Sequence, residues 1–305
     1  MTFSIVAVDR RQSEAGLAIA SCCWDAGQVC MAWHDLGAMA SQASGNLSLL
    51  GHFRDRLTQK ADLDTILEHF RAVDERIETR QIGMVSIAGG ALAFTGAECS
   101  PWAGHRTGAD YSCQGNILAG PEVVDSMTDA FETTSGPLYR RLYAALAAGD
   151  AAGGDLRGRQ SARLAVKKAE RGQPGTHTLL DISIKDHENP VNELGRILGV
   201  GEELMDILGR VDAFSRASDA EKPGVLRELR GFLDDKRHCR YLDWWETLAT
   251  SSCEIGDLEG AVDAYRVYLQ INPALAGVVR RSAEAGAIPR KVVDRLFGDE
   301  GPPGE

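Results

Sequence analysis

MTFSIVAVDRRQSEAGLAIASCC (residues 1–23) holds two apolar runs, 3–9 and 15–23, parted by the polar turn Arg10-Arg11-Gln12-Ser13-Glu14. Two β-forming runs across a short polar turn make a β-hairpin, so the chain is antiparallel from its start. Outward from it, the small apolar run 36–43 is a third strand. Leu and Phe at helical spacing then predict helices over 48–59 and 63–74. A second β block follows at 80–87, 91–95 across the Gly89-Gly90 turn, and 111–118. Amphipathic helices are predicted over 121–133 and 138–148, with strands over 161–168 and 177–185. Strands in blocks with helices between them describe an α+β protein. The order fits an αββα four-layer sandwich over residues 1–190 and fits a doubly wound parallel sheet poorly.

From residue 191 to 305 the strand signal stops and only helices are predicted, over 192–198, 202–216, 224–234, 241–255, 258–271, 274–285 and 289–297. Within this tail, Trp245, Leu248, Ala249, Gly256, Ala261, Tyr265, Tyr268 and Pro273 fall at the anchor positions of a single tetratricopeptide repeat, at about 242–275. One copy builds no solenoid groove. The pair is either a packed helical hairpin or a surface that recruits a protein partner.

The bulk composition excludes several classes. The 305 residues are 44% hydrophobic and 25% charged, an ordinary globular balance. A net charge of -11 argues against nucleic acid, which needs clustered Lys and Arg. No window of eighteen apolar residues suggests a membrane span, and no secretory signal opens the chain. The seven cysteines are odd in number and lack a repeated CxxC spacing, so reduced thiols in a cytoplasmic protein are expected. A dimer is the base-rate expectation for the assembly. No Walker loop, dinucleotide fingerprint or G-x-S-x-G elbow is present, and no cofactor is expected.

The second residue, Thr2, opens a predicted strand. Removal of Met1 would leave a hydroxyl nucleophile and a free α-amine on one residue. An α-amine titrates at about 7.7–8.0, so it can act as base for its own hydroxyl. The plainer alternative is that Thr2 is simply the residue after the initiator. Asn116 is the best candidate for holding an oxyanion, with Gln42 behind it. Strand alternation puts Gln114 on the face of Asn116, although Gln-Gly-Asn could equally serve the turn that follows. His105, Asp155 and His187 include metal-type ligands, but their spacing carries no metal motif. No metal is expected.

The blocks Thr95-Gly96-Ala97-Glu98-Cys99, Pro101-Trp102-Ala103-Gly104-His105, Gln114-Gly115-Asn116-Ile117-Leu118 and 153–162 (GGDLRGRQSA), with the opening strand and Asp186-His187-Glu188-Asn189-Pro190-Val191, resemble the DUF1028 family over roughly residues 1–200. That family is similar to the N-terminal-nucleophile (Ntn) hydrolases. The resemblance implies an Ntn-like αββα fold and a Thr2-dependent amidohydrolase acting on a small-molecule amide. Gln42, His105, Arg106, Gln114, Asp155 and Arg157 are the residues expected to line the substrate site, with Arg106 or Arg157 fixing an anionic group. The proteasome-type threonine hydrolases carry a lysine near the nucleophile. Here the first lysine is Lys60, at the end of a predicted helix rather than on a strand, so Arg10, His34 or another cation must serve if that role exists. The alternative is a non-catalytic binding or assembly protein of the same fold.

Overall fold

A computed structural model describes residues 2–168 and 178–298. It divides into two compact units, residues 1–199 and 200–305. The first is α+β. The hairpin β1 (Thr2–Asp9) and β2 (Glu14–Ser21) is followed by β3 (Cys30–Trp33), β4 (Gly37–Ala43), α1 (Ser48–Thr58) and α2 (Leu63–Val73). Next come β5 (Arg80–Ser86), β6 (Ala91–Thr95), β7 (Ala103–Thr107), β8 (Tyr111–Asn116), α3 (Pro121–Thr133) and α4 (Leu138–Ala151). β9 (Ser161–Lys168) and β10 (Thr178–Ile184) complete two antiparallel sheets, ordered β10-β9-β2-β1-β8-β7 and β3-β4-β5-β6. His177, the first residue of the last expected strand, lies outside the described residues.

Local chemistry explains these elements. Asp9 Oδ1 accepts the Arg11 and Gln12 amides, at 2.9 and 3.1 Å, and turns the first hairpin. Asp62 caps α2 by accepting the Thr65 amide at 2.7 Å. Pro121 starts α3 at a position that has no amide to lose.

Strand alternation divides β1 between two cores. Phe3, Ile5 and Ala7 pack with Val123, Met127, Leu142 and Leu146 of α3 and α4. Val6 and Val8 face the other way, onto Ala38, Ala40 and Val85 of the smaller sheet. The outer face of that sheet, including Met39, Ile82 and Met84, packs on Leu49, Phe53, Ile66 and Phe70 of α1 and α2. Each such aromatic or aliphatic side chain, fully buried, contributes about 1.5–3 kcal/mol. From Ile5 to Val8 β1 shows no apolar–polar alternation because both of its faces are buried.

α5 (Pro190–Arg216) begins within the first unit, and the second unit is helical, holding the rest of α5 with α6 (Lys222–Leu233), α7 (Leu242–Glu254), α8 (Leu258–Ile271), α9 (Ala276–Glu284) and α10 (Arg290–Phe297). Trp245, Leu248, Ala261, Tyr265 and Tyr268 of α7 and α8 form its core. No helix among the described residues is long and apolar enough to cross a membrane.

Three features differ from the sequence expectations. β3 and β7 were not expected as strands. β3 is only four residues long, and β7 (AGHRT) is a polar, glycine-bearing edge strand, whose propensity signal is weak. The two helices expected at 192–198 and 202–216 are one, α5, because Gly199 and Gly201 continue the helix at only modest propensity cost. Val191, Leu194 and Leu198 of α5 join the core of the first unit, so the contact division falls after Gly199 rather than after residue 190.

Candidate active site

The inner face of the larger sheet changes from hydrocarbon to polar towards the start of β1. Val8 and Val6 give way to Ser4 and Thr2. The register sets Ser161 beside Ser21 and Thr2 beside Asn116, and, since Phe3 pairs Ala20, Ser21 flanks Thr2. The next row along carries Ser4, Gln114 and His105. Facing them, the smaller sheet presents its own polar row, Gln42, Gln81 and Thr95.

Hydrogen bonds join the rows across the gap. Ser4 Oγ donates to Gln42 Oε1 at 2.7 Å and accepts from Gln114 Nε2 at 2.7 Å. Gln42 Nε2 and Asn116 Nδ2 both donate to Gln81 Oε1, at 2.8 and 2.9 Å. Gln81 Nε2 in turn reaches Thr95 Oγ1 at 3.0 Å and the Gly115 carbonyl at 2.8 Å. Thr95 Oγ1 lies 2.9 Å from His105 Nδ1. Ser4, Gln42, Gln81, Gln114 and Asn116 are 0–1% exposed, where an amide left unpaired costs about 1–3 kcal/mol. A Cβ on Gly83 would lie 2.1 Å from Gln114 Oε1, so glycine there makes room for the network.

Thr2 is 8% exposed. Its Oγ1 donates to Ser21 Oγ at 3.2 Å, and its carbonyl accepts from Gln42 Nε2 at 3.3 Å. Ser21 Oγ also accepts from Arg157 Nη2 at 3.5 Å. Arg157 is ion-paired with Asp155 at 3.1 Å, and the Asp155 carboxylate accepts the Cys22 and Arg157 amides, both at 2.9 Å. Burial works against the Arg157 charge, but Asp155 outweighs it and raises the guanidinium above its usual range. A small cavity of about 90 Å³ lies beside Ser21, with Asp155, Arg159 and Ser161 on its wall. A cleft of about 350 Å³ opens at Asn116, lined also by Ala43, Arg76, Glu98 and Ile117. Ala43 and Ile117 have φ of 66° and 50°, a left-handed conformation unusual for residues with a Cβ.

Of the residues singled out from the sequence, Thr2, Gln42, Gln114, Asn116 and His105 share the buried network. Asp155 and Arg157 reach it through Ser21. Arg106 does not: it pairs with Asp125 of α3 at 2.9 Å, on the other face from His105. Desolvation, with Arg106 adding, holds the His105 imidazole below its usual pKa and so favours its neutral form. Arg10 pairs with Asp110 beyond the far end of β1, and His34 lies beside Asp35. Among the described residues, Arg157 is a cation that does lie beside the Thr2–Ser21 pair. Among the described residues no three His, Cys, Asp or Glu side chains gather as a metal site. His187 Nδ1 instead accepts the Asn189 amide at 3.0 Å.

Ser4, Ser21, Gln81 and Thr95 were not anticipated. Gln81 had a signal. It shares a buried strand face with Gly83 and Val85, where a glutamine needs a partner.

Fold and site together define an α+β protein of two facing antiparallel sheets, with hydroxyls and amides concentrated at one end of the space between them. Residues 2–194 match the family of unknown function DUF1028, and the chain belongs to that family. A crystal structure of a DUF1028 protein from Silicibacter pomeroyi is similar, at 29% identity and a TM-score of 0.57, over 65% of this chain and 88% of that one. No curated protein matches the chain.

Proposed function

We propose that this protein is an amidohydrolase of the N-terminal-nucleophile type, acting on a small-molecule amide through Thr2 once Met1 is removed. The observation that carries the reading is the position of the Thr2 hydroxyl. It heads a central strand, faces the space between the sheets, stands in register with Asn116 and lies 3.2 Å from a second hydroxyl. The two facing sheets, each with a helix pair on its outer face, support an Ntn-hydrolase-like sandwich.

In this reading the α-amine takes the Thr2 hydroxyl proton as Oγ1 bonds to the amide carbon. Asn116 Nδ2 carries two hydrogens, one engaged by Gln81, and the other serves the oxyanion. The carbon–nitrogen bond then breaks, the leaving amine takes the proton from the α-amine, and water hydrolyses the resulting ester. The cleft at Asn116 receives the substrate. In the tail, α7 and α8 act as a tetratricopeptide-like hairpin, supported by the burial of its anchors Trp245, Leu248, Ala249, Ala261, Tyr265 and Tyr268.

One observation favours the rival reading, a binding or assembly protein without chemistry: the amides of the network already satisfy one another. Intact mass and exposure to a β-lactone acylating probe separate the two. The expected result is a protein lacking Met1, acylated on the Thr2 peptide, with no adduct in Thr2→Ala and a restored adduct in Thr2→Ser. Full retention of Met1, or equal labelling of Thr2→Ala, would falsify the proposal.

A further inference from the structure

We infer that Ser21 and Arg157 form a positioning relay for the Thr2 hydroxyl, an inference that rests on the nucleophile reading above. The geometry is a chain of three groups. Thr2 Oγ1 is 3.2 Å from Ser21 Oγ, and Arg157 Nη2 is 3.5 Å from the same oxygen. Ser21 is 3% exposed, so its hydroxyl is held by neighbours rather than by bulk water. Asp155 fixes the guanidinium through its Nε and Nη2, at 3.3 and 3.1 Å, and ties the same loop to the Cys22 amide at the end of β2. Strand and loop are thus pinned by one carboxylate.

A hydroxyl can reverse its role by rotating. In the resting state Thr2 donates to Ser21. When the α-amine takes the Thr2 proton, Ser21 turns its own hydrogen to the developing Oγ1 charge. Its oxygen keeps accepting from Arg157, which makes the hydroxyl a stronger donor. No net proton leaves Ser21, and the nucleophile's proton remains on the amine until the leaving group takes it. The same cation disfavours the protonated amine, a like charge, and so lowers the pH at which the amine becomes a base. Among the described residues the other titratable or charged groups around this corner include Asp155, Cys22, Cys23 and the Asp150–Arg159 pair, with Arg76, Glu98 and Cys99 across the Asn116 cleft.

The test is the rate of Thr2 acylation by the β-lactone probe as a function of pH. In that reaction Oγ1 bonds to the lactone carbonyl, the ring carbon–oxygen bond opens, and the ring oxygen takes the proton. Ser21→Ala and Arg157→Gln are expected to slow acylation at least tenfold. Arg157→Gln is expected to move the pH midpoint upwards, with Arg157→Lys recovering most of the shift. A residue that only supports the fold lowers the melting temperature but leaves the midpoint in place. Labelled Thr2 with wild-type rate and midpoint in both variants overturns the relay and leaves the nucleophile standing. Thr2 unlabelled in the wild-type protein removes both.

Discussion

Asn116 illustrates how much one buried amide does here. It is 1% exposed and donates to Gln81 Oε1, so Asn116→Ala strips a partner from the network as well as the oxyanion donor proposed above. The expected outcome is a loss of about 1–3 kcal/mol in denaturant unfolding. A fall of about 10²–10³-fold in acylation rate should accompany it. Asp74 makes a different prediction. Hydrogen bonding from Arg80, against the opposing effect of burial and with help from Asn46, holds its carboxyl below the ordinary 3.8. A lowered folded-state value gives stability that is present above about pH 4 and disappears as pH falls through that lower value. Asp74→Asn should therefore remove about 3–5 kcal/mol at neutral pH, where a buried arginine is left unpaired, and much less in strong acid. Urea unfolding at pH 7 and pH 2.5 checks this, and an equal loss at both would sink it. At Ala43, φ is 66°. Ala43→Gly should leave the melting temperature unchanged or higher, since glycine adopts that conformation without the cost of a Cβ.

Single elements show what sequence periodicity can and cannot carry. Asp257 caps α8 by accepting the Gly260 amide at 2.9 Å, so Asp257→Ala should cost about 1 kcal/mol in the unfolding of the helical unit. A loss below the error of a denaturant titration would remove the cap from the account. This helix and α7 were legible because apolar anchors recur at helical spacing and a glycine with φ of 79° separates them. β1, β2, β5 and β8 were legible for a similar reason, as β-forming runs bounded by turns. β8 ends at Asn116 rather than at the expected residue 118, because Ile117 turns left-handed. Of the site, Thr2 stood out by following Met1 at the head of a strand, Asn116 and Gln42 as amides at strand ends, and Gln114 by sharing the face of Asn116. Ser21, Gln81 and Thr95 did not, since their partners are fixed by the register of strands distant in the chain. Arg106 went astray by one step of alternation, which put it opposite α3.

At the scale of the molecule, residues 1–199 carry three hydrophobic clusters of their own. A chain ending at Gly199 should therefore unfold in one cooperative thermal transition and keep the Thr2 reactivity proposed above. A molten or aggregated fragment would show that the first unit depends on the rest. The family match, over residues 2–194, lies within this unit. The double acceptance by Gln81 Oε1, from Gln42 and from Asn116, has a historical consequence as well. Replacing Gln81 takes the acceptor from both Gln42 Nε2 and Asn116 Nδ2 in a dry interior, so drift at that position is penalised while a joint change is not. Among relatives, residues 42, 81 and 116 should vary together or stay fixed together. An alignment in which Gln81 is freely exchanged beside an unchanged Gln42 and Asn116 would show that their bonds are individually dispensable.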